Sequence, residues 1–216
     1  MVNVKFYKYT KIEIPENIIK ELFESQRELI FKYQQVENLG ELTPKGYLTS
    51  LQTKASQKVL KDFAWRVTEE VTEMFHSIYE QDDPEHPKEE IADTMHFYVE
   101  LLILSGLDYD KFEMYNVKEN WVPVKYRENV LELESMRFIN LLGDAMNILK
   151  NKPWKLSEVP SDEDEYIRRL KRTFPAFLRL VEAYNFTQQK DFGIEELYIY
   201  YTKKHMVNHF RVDTKY

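Results

Sequence analysis

The chain has 216 residues, 43% of them hydrophobic and 31% charged, which is enough apolar material for a sizeable core in one large domain or two small ones. A formal net charge of -7 argues against a general binder of nucleic acid or anionic membrane, and the absence of Cys excludes disulfides, thiol catalysis and Cys-based zinc sites. No apolar run reaches transmembrane length and no signal-peptide core opens the chain, so a soluble cytoplasmic protein is the expectation; only 5 Gly amid long periodic segments point to an all-α fold.

Val2 to Ile14 is rich in β-branched and aromatic residues and reads as an extended arm with no evident strand to pair with. A helix is predicted from Pro15 to about Tyr33, with Ile18, Ile19, Leu22, Phe23, Leu29 and Ile30 as its apolar stripe and Gln26 within it. Val36 to Thr53, holding Gly40, Pro44 and Gly46, reads as a loop. A long helix follows from about Lys54 to Tyr79 and carries Trp65, then Glu69, Glu70 and Glu73. After a turn with Pro84 and Pro87, a helix from about Lys88 to Leu104 carries Glu90, Asp93 and His96 and stops at Gly106.

Leu107 to Tyr126 has no clear period and reads as a connection. Helix resumes from about Glu128 to Lys150, through Gly143, Asp144 and Asn147, and breaks at Asn151-Lys152-Pro153; Lys150, Lys152 and Lys155 then surround Trp154. Asp162 to Asp164 give an acidic start to a helix reaching about Tyr184, with a kink expected near Pro175, and a last helix runs from Ile194 to about Arg211. Trp65 to Phe112 and Met136 to Phe192 share an order of helix, Pro-containing turn and helix, which suggests a bundle of two pseudo-repeated hairpins; the second copy lacks the acidic pairs.

Chemistry concentrates in Glu70-x-x-Glu73 and Glu90-x-x-Asp93. Residues three apart share a helix face, so two helices packed antiparallel across the proline turn bring four carboxylates to one patch. Like charges so placed resist ionisation and favour a divalent cation, and all-oxygen ligands suit Mg2+ or Mn2+ over zinc. On its own each pair reads as a solvated face, but MHFYVELLIL directly follows the second and sets Glu90 and Asp93 at a core boundary. Trp65 reads alone as a core aromatic, and His96 as a core histidine or one that orients a ligand. Lys204, Asn208 and Arg211 share a face of the last helix, with Tyr216 beyond. They suit a helix C-terminus, and equally clamp a polyphosphate. Carboxylates at one end and cations at the other describe a nucleoside triphosphate site.

These stretches together resemble the all-α (MazG-like) nucleoside triphosphate pyrophosphohydrolases, within them the dimeric dUTPases and the related dCTPases of tailed phages. EIADTMHFYVELLILSGLD is similar to the family's second acidic motif and its Asp-x-x-His-Phe helix, and KKHMVNHFRVDTKY to its closing motif. LFESQREL resembles the N-terminal motif whose Gln reads the base, and GDAMNILKNKPWK the turn between the later helices. His205 stands where the family usually has Asn, and Lys215 where it usually has Gly.

The resemblance implies one domain over 1–216: a metal-binding half at about 54–112, a degenerate half or lid at about 127–192, and a phosphate clamp at 194–216. It implies a homodimeric, Mg2+-dependent dUTP diphosphatase, phage-like and acting in the cytoplasm, with no polymeric nucleic acid or membrane partner. Glu70, Glu73, Glu90 and Asp93 become the metal ligands, and Glu70 or Glu69 the general base. Gln26, Trp65, His96, Asn147, Lys150, Lys204, Asn208, Arg211 and Tyr216 become the substrate contacts. A dCTP or dual dCTP/dUTP pyrophosphatase is the alternative, and an inactive helical interaction protein a more distant one.

Overall fold

The computed structural model describes residues 11–80, 83–116, 128–152, 154–188 and 191–214. Its helices are α1 (Ile18–Tyr33), α2 (Lys54–Glu80), α3 (His86–Leu104), α4 (Val130–Met146), α5 (Glu163–Lys171), α6 (Thr173–Gln188) and α7 (Ile194–Thr214), with 3-10 turns at Tyr109–Lys111 and Glu113–Tyr115. Among the described residues there is no strand, only an isolated antiparallel bridge between Leu42 and Leu48, and no helix long and apolar enough to cross a membrane. Most of the arm from Val2 to Ile14 and the far part of the Leu107 to Tyr126 connection lie outside the described residues.

α3 explains the arrangement. Its run from Ile91 to Leu104 is mostly apolar outside the line of Asp93, His96 and Glu100, and a helix so largely apolar has to be surrounded. α2 packs along it as the other arm of a hairpin, while α1 and α7 pack on it and on each other. α4 joins α5 and α6 in a second layer that reaches α2, around Tyr98, Phe138, Phe174 and Phe177. Glu134 of α4 is 1% exposed, and a two-pronged ion pair from Arg179 of α6, at 2.9 and 3.0 Å, compensates its burial.

Local chemistry moves several boundaries. α1 starts at Ile18 because Asn17 caps it, its side chain accepting from the Lys20 amide at 2.9 Å, so Pro15 stays outside. Pro87 sits in the first turn of α3, where a missing N–H costs nothing. α4 ends at Met146, before the expected Lys150. The kink expected near Pro175 is a complete break at Arg172: the ring would strike the Lys171 carbonyl of a continuous helix, so Pro175 enters the first turn of α6 instead.

The loop between α1 and α2 is strapped to the end of α3. Leu48 N donates to Leu104 O at 3.0 Å. Arg27 Nε donates to Lys45 O at 2.9 Å, and its Nη2 reaches Asp108 Oδ1 at 2.8 Å. Gly46 has φ +77, and a Cβ there would meet Ile103 Cγ2 at 3.3 Å, so a left-handed backbone and a close approach both require glycine.

Candidate active site

The α2–α3 hairpin brings Glu70, Glu90 and Asp93 together, with ligand oxygens all within 4.8 Å of one another. Glu90 and Asp93 are only 6% and 9% exposed. Burial, the Asp93 charge and a hydrogen bond with Glu90 hold the Glu70 carboxyl well above the ordinary range. Burial likewise raises Asp93 to about 6, against the pull of Lys204. A buried group of carboxylates that retains protons is short of positive charge, and its all-oxygen donors fit Mg2+ or Mn2+. Lys204 of α7 supplies part of that charge through an ion pair with Asp93. His86 of α3 contacts Glu90 Oε1 at 2.6 Å.

Glu73 lies one turn further along α2, exposed and outside this close group, though its charge adds to the push on Glu70. Trp65 and Glu69 also face outward: Trp65 is 63% exposed and its Nε1 donates to Glu69 Oε1 at 2.7 Å. Helical geometry requires this, because a residue five places before Glu70 sits about 140° around the axis from it. The chain's own fold therefore does not bring Trp65 to the carboxylates.

Beside the carboxylates opens a cavity of about 290 Å3. Gln26 of α1, Glu70, Asp93 and His96, and Lys204, Asn208 and Arg211 of α7 all line it. Tyr33, Glu37, Arg66, Phe97 and Glu100 line it too, and sequence reasoning missed them. Glu100 had a legible signal, a charge inside an apolar helix seven residues beyond Asp93 and thus on its face. Glu37, in a loop, had none.

The Gln26 amide is fully buried and held on several sides. Its Nε2 lies 2.9 Å from Glu100 Oε2. Its Oε1 lies 2.9 Å from His96 Nδ1 and 2.8 Å from Tyr201 Oη. His96 Nε2 is 3.1 Å from the Tyr201 carbonyl, and Tyr201 Oη is 3.2 Å from Leu22 O. Complete burial brings the His96 pKa down to about 3, so the ring is neutral. Nearby, Arg66 grips Glu37 with both Nη atoms, at 3.0 and 2.6 Å.

Asn147 and Lys150 line a different cavity, of about 730 Å3, with Lys61, Lys152, Trp154 and Lys155. Lys61 Nζ donates there to Leu149 O at 2.8 Å and Asn151 O at 3.1 Å, and burial with the Lys152 and Lys150 charges lowers its pKa. The expected substrate contacts among the described residues thus fall into two cavities of one chain, and Trp65 lines neither. Tyr216 lies outside the described residues. Glu28, His205 and His209 also approach within 4.8 Å, but the Lys32 ammonium stands 2.8 Å from His209 Nδ1 and disfavours a further cation there.

A family model described as dUTPase matches residues 18–216. No curated protein and no solved structure matches the chain.

Proposed function

The chain belongs to the dUTPase family, all-α nucleoside triphosphate pyrophosphohydrolases, and we propose that it splits dUTP into dUMP and pyrophosphate with Mg2+ held by Glu70, Glu90 and Asp93. One observation carries the reading: the close carboxylate group opens onto the same cavity as Gln26, Lys204 and Arg211. Glu73 joins the proposal as a ligand that turns its exposed side chain inward. Mn2+ satisfies the same donors.

When bound, the divalent ion supplies Lewis-acid stabilisation of phosphate charge and makes water more acidic. Glu70, within the close carboxylate group, takes the proton of the water that attacks the α-phosphorus. Glu69, turned toward Trp65, is the weaker candidate for that base. Lys204 and Arg211 balance the charge of the leaving pyrophosphate, with Tyr216 as a further contact. Asn208 offers an amide beside them. Gln26 and His96, which line the same cavity, meet the base. Asn147, Lys150 and Trp65 require a second copy of the chain to meet the same substrate, and the homodimer belongs to this proposal. Large apolar side chains left in solvent, Trp65, Met136, Trp154 and Leu156, support it.

dCTP is the second reading, because a glutamine amide presents a donor or an acceptor according to its orientation. A panel of deoxynucleoside triphosphates with Mg2+, scored for pyrophosphate against orthophosphate, tests both. Pyrophosphate from dUTP, lost in excess EDTA, is expected. Orthophosphate as product, a purine as best substrate, or full activity in EDTA overturns the proposal.

A further inference from the structure

We propose that Glu100, as a neutral carboxylic acid, fixes the Gln26 amide with its oxygen toward Glu100, so that Gln26 meets the base as a hydrogen-bond acceptor and Glu100 is the positioning residue for pyrimidine choice. The inference rests on the reading of the cavity as a deoxyuridine nucleotide site.

Hydrogen-bond accounting carries it. An amide's oxygen and nitrogen are told apart by their partners, and the partners here form a closed set. His96 is neutral, so only one ring nitrogen bears hydrogen. Its Nε2 faces the Tyr201 carbonyl at 3.1 Å, an acceptor, so Nε2 carries the hydrogen and Nδ1 is a bare lone pair. That lone pair needs a donor from Gln26 at 2.9 Å, so the amide NH2 belongs on the His96 and Tyr201 side. Tyr201 Oη then accepts from the same NH2 and donates to Leu22 O at 3.2 Å. The amide oxygen is left facing Glu100 Oε2 at 2.9 Å, a contact that holds only if Glu100 brings a proton. With the opposite orientation and an ionised Glu100, His96 Nε2 sets a lone pair against a carbonyl, and Leu22 O loses the Tyr201 hydroxyl as a second donor.

The surroundings keep Glu100 neutral. Arg66 faces it, but that cation is already committed to Glu37, which itself faces Glu100 as a like charge. Tyr33 and Tyr201 also sense the Glu100 charge, and neither is a cation. Burial first, then Glu37, raise the Glu100 carboxyl to about 8. One acceptor lone pair of Gln26 remains unspent, and Gln26 lines the cavity. It matches N3–H of uracil and opposes the N3 lone pair of cytosine. A glutamine free to turn would serve either base; one held by Glu100, His96 and Tyr201 does not.

The test is the KM for dUTP between pH 6 and 9 at saturating Mg2+, for the wild type and Glu100→Gln, whose amide NH2 mimics the acid's hydrogen. Wild-type KM is expected to rise roughly tenfold per pH unit above the Glu100 pKa with kcat little changed, and Glu100→Gln to flatten that rise. Glu100→Ala is expected to lower the preference for dUTP over dCTP, having released the amide. In the ligand-free protein at pH 7, the infrared difference spectrum between wild type and Glu100→Gln should carry a protonated-carboxyl band. A flat wild-type KM, an equal rise in Glu100→Gln, or a missing band overturns the inference. Failure of Glu100→Gln to fold leaves the wild-type profile to decide. A wild type that shows the band but no turnover of dUTP refutes the substrate reading and not the neutral acid.

Discussion

Lys204 of α7 sets its ammonium against the Asp93 carboxylate of α3, so the cation proposed to meet a phosphate stands as counter-ion to a proposed metal ligand. The two roles exclude each other. A divalent ion at the carboxylates would release Lys204 toward the cavity, which couples metal binding to readiness for the polyphosphate.

Replacing Lys204 by Met should therefore have opposite effects on the two ligands. Mg2+ should bind the nucleotide-free protein more tightly, because Asp93 has lost its competitor. The kcat/KM for dUTP should fall about 10- to 100-fold with the loss of a charge-assisted contact. Calorimetry with Mg2+ and steady-state kinetics check this; weaker Mg2+ binding in the variant would refute the exchange.

Asp93→Asn and Glu73→Gln should separate two ranks of ligand. Asp93 is in the close group, and its amide variant should lose at least about 100-fold in kcat. Glu73 is exposed, and its variant should lose less, about 10-fold. Both should keep the helical circular dichroism of the wild type. Equal losses would put all four carboxylates in one shell.

The pH dependence of stability without metal follows from the same burial. Glu70, Asp93 and Glu100 bind their protons more tightly in the folded chain than in the unfolded one. Between the ordinary carboxylate range and about 8 the native state thus holds more protons, and stability falls as pH rises. Tm measured in EDTA should be lower at pH 8 than at pH 5.5, and Mg2+ should raise it more at pH 8. A metal-free Tm that increases over this range would contradict the raised affinities.

Truncation after Asn208 removes Arg211, which lines the cavity, and Tyr216 with it. Turnover of dUTP should fall by at least about 10-fold, while Tm changes little because none of the described side chains after Asn208 is fully buried. Wild-type kinetics in the truncated chain would reduce the tail to a capped helix end.

Much of this molecule was legible in advance because periodicity reports faces. The apolar run after Asp93 announced α3 as a buried helix; the three-residue spacing announced a patch of four carboxylates, of which Glu70, Glu90 and Asp93 come close and Glu73 stays exposed one turn away. Trp65 shows the limit of the same signal: read alone as a core aromatic, it is 63% exposed, because five residues turn it about 140° away from Glu70 and nothing local says what covers that face. Asn147 and Lys150 follow α4 into a turn whose direction no local pattern encodes. The Gln26 network was invisible because its members come from α1, α3 and α7, and only their packing makes one Gln, one His and one Tyr answer to a single proton.

Gly46 does not line the cavity, yet the loop that it pins to α3 also carries Glu37. Any side chain at 46 has to shift Ile103 by a few tenths of an ångström and occupy a left-handed backbone that suits glycine. Were that strain to reach Glu37 along the loop, Arg66 would lose its partner and stand as an uncompensated guanidinium beside Glu100, where it would draw the proton off the carboxyl. A genetic screen for altered base preference would on this logic return changes at position 46, and a reader of those variants alone would look for an allosteric site where there is only a misplaced counter-ion.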